Sequence, residues 1–72
     1  MTLKEVKPGK QVVITSINTA GSTKRKLMDM GLTKHTTVLV RKVAPLGDPI
    51  ELNVRGYELS IRKSDAELIE VQ

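Results

Sequence analysis

Apolar and polar residues alternate along most of this chain, and turn residues separate the alternating runs. A period of two is the mark of half-buried strands. After a turn at Pro8-Gly9, Gln11 to Ile17 reads as a strand. Val12 and Ile14, followed by Ser16, fall on one face, with Val13, Thr15 and Ile17 on the other. Asn18 to Gly21 is a loop. Ser22 is placed to cap a short helix from Thr23 to about Met30, and Gly31 supplies a left-handed stop. Leu27 and Met30 stand three apart and share the buried side of that helix. Thr36 to Val43 is a second strand, rich in β-branched residues.

Pro45 and Gly47 occupy the second and fourth positions of a type I turn that begins at Ala44. Asp48 precedes Pro49, which biases it to an extended backbone. Ile50, Leu52 and Val54 then alternate with polar residues, as do Tyr57, Leu59 and Ile61. With Arg55-Gly56 as a two-residue turn, Val54 faces Tyr57, Leu52 faces Leu59 and Ile50 faces Ile61. All six apolar side chains then share one face, and a slip of one residue destroys the match. Arginine is a poor choice where such a turn requires positive φ. Ser64 and Glu67 have the spacing of a capping box, which predicts one helical turn. Ile69 and Val71 form a short last strand. The result is an all-β domain of about five strands, with one short α-helix and one short helical turn. The chain is too short for two full sheets, so the sheet is expected to curl into a small barrel.

At 72 residues the chain is expected to be one domain spanning 1–72. A domain of this size buries only about 60% of the surface its unfolded chain exposes. Its stability is expected to be on the order of 4–10 kcal/mol. There is no cysteine and only one histidine, which argues against a disulfide staple or a zinc site. The early residues Lys4 and Glu5 interrupt any apolar leader, and no run is apolar for long enough to cross a bilayer. Net charge is +4, which favours acidic partners, anionic surfaces or nucleic acid. Tyr57 is the only aromatic residue, so the stacking platforms that single-stranded nucleic acid needs are missing.

Three stretches carry a resemblance. Lys24-Arg25-Lys26-Leu27-Met28-Asp29-Met30-Gly31-Leu32 resembles the helix-and-turn signature of the FeoA family, the ferrous iron transport protein A group. Ala44 to Glu51 resembles that family's most distinctive loop, and Arg55 to Lys63 its last hairpin and the strand after it. Their order and spacing, with Ala66 to Val71, cover nearly the whole chain. One departure is visible: the family usually has a glycine near position 35, where this chain has His35. The resemblance implies an SH3-like barrel in the bacterial cytoplasm. It also implies a partner, the cytoplasmic GTP-binding region of a FeoB-type ferrous iron transporter, which would hold the domain at the inner membrane.

Lys24, Arg25 and Lys26 are cations in the first turns of a helix, where they oppose its dipole at about 0.3–1 kcal/mol each. Breaking a local rule in this way points to a functional surface. Met28 lies one position off the buried stripe and suits an adaptable contact. Leu46 is a large apolar side chain on a turn tip. These five residues are the expected partner-contact surface. Asp48 suits acceptance of backbone N–H bonds, and His35 suits a surface turn. No catalytic residue, metal ligand or cofactor is expected, and the Gly-x4-Gly-Lys pattern of a phosphate loop is missing. Two rival roles follow from the same residues. The basic charge would suit a nucleic-acid-binding barrel, and Arg25 or Arg55 would suit an arginine supplied to a partner's GTPase site.

Overall fold

The computed structural model describes all residues from Met1 to Gln72. The strands are β1 (Gln11–Ile17), β2 (Thr37–Val43), β3 (Ile50–Val54), β4 (Tyr57–Ile61) and β5 (Ile69–Val71). Helix α1 (Gly21–Asp29) joins β1 to β2, and the single turn α2 (Lys63–Ala66) joins β4 to β5. They form one antiparallel sheet in the order β4-β3-β2-β1-β5. The first half of β1 pairs with β2, through Gln11 to Val13, and the second half pairs with β5. A single strand thus serves both wings of the sheet, which curls around one apolar core as expected.

The break in β1 is a β-bulge between Ile14 and Ser16. An extra residue there shifts the alternation of faces. Val12 and Ile14 are buried, but Ser16 does not join them. Its hydroxyl turns to Asn18 Oδ1 at 2.7 Å, and Ile17 packs against the core instead. A 3-10 helix at Leu3–Glu5 was not expected from the sequence. It inserts Leu3, which is fully buried, and its Lys4 pairs with Glu67 at 3.1 Å.

The β3–β4 hairpin has the expected register, with Val54 opposite Tyr57, Leu52 opposite Leu59 and Ile50 opposite Ile61. Arg55 and Gly56 have φ values of 53° and 85°, as a type I′ turn demands. The apolar face is less uniform than the alternation suggests. Ile50, Leu52, Val54 and Ile61 are buried and Leu59 is partly buried, but Tyr57 is 75% exposed. Strand β4 lies at the outer edge of the sheet, so the core ends before its first residue.

Both helix starts differ from expectation. Helix α1 opens one residue before Ser22, at Gly21, with Ala20 as the cap residue and no side-chain cap bond. Gly21 takes φ 69°, which lets the chain turn sharply enough to begin the helix there. The Ser64–Glu67 box does not form either, because α2 begins at Lys63. The first N–H of α2 is taken by a distant residue: Asp48 Oδ1 accepts from Lys63 at 3.0 Å. The far end of α1 agrees with the sequence. Leu32 N–H donates to Leu27 C=O at 3.1 Å and Gly31 N–H to Met28 C=O at 2.9 Å, with Gly31 at φ 92°. This is a Schellman closure, and both apolar residues of its clamp, Leu27 and Leu32, are fully buried.

His35 holds a left-handed backbone at φ 72° and donates its N–H to Ile14 C=O at 2.7 Å. The turn survives without glycine, but an L-residue there costs roughly 1–2 kcal/mol. Glycine's extra chain entropy offsets about half of that. His35→Gly is therefore expected to stabilise the fold by about 0.5–1 kcal/mol, read as a higher urea midpoint. A lowered midpoint would show that contacts of the imidazole outweigh its backbone strain.

Candidate functional site

The five expected contact residues do not form one cluster. Lys24 and Met28 are one turn apart on α1 and line a shallow groove with Thr15, Ile17 and Thr33, of about 340 Å³. Arg25 lies outward of them and lines an adjoining depression with Gly21 and Asp29. Met28 is 46% exposed, because α1 turns Leu27 and Met30 toward the core and leaves Met28 on the flank. Lys26 projects from the other flank, where Nζ lies 3.9 Å from Asp65 Oδ2 on α2. Lys24 and Arg25 make no ion pair.

Leu46 is 90% exposed at the tip of a turn closed by Gly47 N–H on Ala44 C=O at 2.7 Å. It does not fold back over the core. Its loop rests on α2 instead: Asp48 caps that helix, and a Cβ on Gly47 would lie 3.9 Å from Lys63 Cδ. Lys24, Arg25 and Met28 are thus brought together, while Leu46 belongs to the side of the barrel that holds α2. Lys26, bridged to Asp65, stands between α1 and α2.

A third feature was not singled out from the sequence. A polar cleft of about 480 Å³ is lined by His35, Thr36, Arg55 and Gly56, among others. The signal for it was two non-glycine residues, His35 and Arg55, at positions that call for a left-handed backbone. No group of three His, Cys, Asp or Glu side chains converges to hold a metal ion. No helix is long and apolar enough to cross a membrane.

A curled five-stranded sheet with a basic, partly apolar helix on its flank makes the fold a small β-barrel. Its relatives sharpen this class. The FeoA domain model matches residues 1–72, and the chain belongs to the FeoA family. It is 35% identical, over 72 residues, to the Fe(2+) transport protein A/Fe(2+) transporter FeoB fusion protein of Porphyromonas gingivalis, covering 100% of this chain and 8% of that protein. The solution structure of iron(II) transport protein A from Clostridium thermocellum superposes with a TM-score of 0.96 at 35% identity, covering 100% of this chain and 44% of that one. The crystal structure of Stenotrophomonas maltophilia FeoA complexed with zinc, described as a prokaryotic SH3 domain protein, gives a TM-score of 0.86 at 25% identity. That match covers 100% of this chain and 89% of the other. The barrel is therefore SH3-like, and the chain spans less than half the length of the first two relatives.

Proposed function

We propose that this domain is an accessory protein of ferrous iron uptake that binds the cytoplasmic GTP-binding region of a FeoB-type transporter. One observation carries the reading: a relative holds the same domain and the transporter in a single chain. Fusion raises the effective concentration of two modules for one another, which is useful when they act by contact. The domain works as a binding partner and not as a catalyst, and it reaches the membrane through the transporter. Its main contact surface is the α1 flank of Lys24, Arg25 and Met28, and a second, separate part of the contact uses Lys26 between the helices and Leu46 on the α2 side of the barrel. Met28 and Leu46 are two of the exposed large apolar side chains of the barrel, and Lys24 and Arg25 are unpaired cations.

Charges at the rim of an interface act mainly on association, and apolar anchors mainly on dissociation. Reversing Lys24 and Arg25 to Glu is expected to lower the association rate for the transporter's cytoplasmic region and to weaken its salt dependence. Met28→Ala or Leu46→Ala is expected to raise the dissociation rate with the fold intact. Surface-plasmon kinetics at two salt concentrations, with circular dichroism on each variant, reads both effects. Parent-like binding by all of these folded variants would remove this surface from the interface. No binding by the parent itself would remove the partner.

A further inference from the structure

The largest depression on the molecule shares no residue with α1. Of its eight lining residues only Leu39 is apolar. Two facts about its walls go beyond what the turns themselves require. The first is backbone strain. His35 and Arg55 are the only two non-glycine residues with positive φ, at 72° and 53°, and both line this cleft. Arg55 is the first central residue of a type I′ turn, where asparagine or glycine is far cheaper. Strained residues that gather at one place mark a site where position matters more than stability.

The second fact is the electrostatics. The Arg55 guanidinium is in no ion pair. Its Nη2 lies 3.4 Å from Oγ1 of Thr36, a side chain that is only 4% exposed. Thr36 Oγ1 is in turn 2.8 Å from Thr33 Oγ1, so the hydroxyl that steadies the arginine is itself held. No carboxylate lines the cleft. The acidic residue next to it, Glu58, accepts from Asn53 Nδ2 and lies 3.5 Å from Arg41 Nε, so its charge is already matched. An arginine fork with free donors, surrounded by hydroxyl and amide groups and no anion, is complementary to a carboxylate or phosphate group.

We propose that this cleft is an oxyanion-binding site in which the Arg55 guanidinium takes a carboxylate or phosphate, supported by the side chains of His35 and Thr37. The anion has two possible sources with the same chemistry, a free small anion or an acidic side chain of a docked protein. The proposal does not depend on the α1 surface.

The test is a nitrogen-15 NMR titration of the whole chain at constant ionic strength. The probes are inorganic phosphate, citrate and a hexaglutamate peptide. The expected result is a saturable shift confined to the signals of His35, Thr36, Thr37, Arg55 and Gly56. A peptide that binds at least about tenfold tighter than phosphate, a difference equal to one decade in Kd, identifies a protein side chain as the source. The reverse order identifies a free anion. Arg55→Asn removes the fork but suits the turn. It is expected to abolish the saturable shift and to raise the melting temperature by roughly 4 °C. Shifts scattered over the surface lysines, or unchanged in Arg55→Asn, would overturn the proposal. So would a lower melting temperature for that variant, since the arginine would then be there for the fold.

Discussion

Leu52→Ala is expected to remove a large share of the domain's stability and to lower its urea midpoint sharply. Leu52 is fully buried at the centre of β3, between Val40 of β2 and Leu59 of β4. Truncating a buried leucine costs about 2–5 kcal/mol, because the cavity left behind adds to the lost transfer energy. A chain of this size holds on the order of 4–10 kcal/mol in total, so a loss of that size is a large fraction of the margin. Glu51→Ala is the internal control. Glu51 is the next residue on the same strand, exposed on the opposite face, and its removal is expected to change stability by less than about 0.5 kcal/mol. Urea melts of both variants check the pair. Equal shifts would mean that the register of the hairpin is not the one described.

Asp48→Ala is expected to cost about 1–2 kcal/mol, more than its place on an exposed loop suggests. Its carboxylate accepts the Lys63 N–H at 3.0 Å and so does the work of a helix cap from 15 residues away. The same bond ties the 44–49 loop to α2, so its loss frees the loop as well as the helix start. Asp48→Asn keeps an acceptor oxygen and is expected to recover most of the loss. Guanidinium or urea melts of the three proteins settle the matter. If Asn and Ala fall equally, charge rather than capping is what the residue supplies.

The particular residues show why some of this was legible beforehand and some was not. The hairpin register followed from the period together with a two-residue turn at Arg55-Gly56, which pairs the six alternating residues on a common side. The Schellman end of α1 was equally local: a glycine after the last buried turn, followed by leucine. What escaped were the effects of residues distant in sequence. Ser64 and Glu67 have the spacing of a box, yet Asp48 reaches Lys63 first and α2 starts two residues early, with Arg62 in the cap position. The bulge in β1 removes Ser16 from the buried face because β5 pairs there, and that pairing leaves no trace in the local alternation. Tyr57 fits the apolar pattern and still faces solvent, since the pattern does not tell a central strand from an outer one. At the candidate contact surface the residue types were readable but their grouping was not. Helical geometry sends Lys26 to Asp65 while Lys24 and Met28 turn the other way.

The division of β1 between two partners also bears on how the domain is made in the cell. Pairings among β2, β3 and β4 join near neighbours, whereas Ile14 meets Val71 across almost the full chain. Closing so long a loop is slow relative to hairpin formation. Val71 also takes the Met1 carbonyl at 2.8 Å, so the first residue waits on nearly the last. During translation, then, the meander has all its strands as soon as residue 61 has left the exit tunnel. The second half of β1, from Ile14 onward, gains its β5 partner only once residue 71 has emerged.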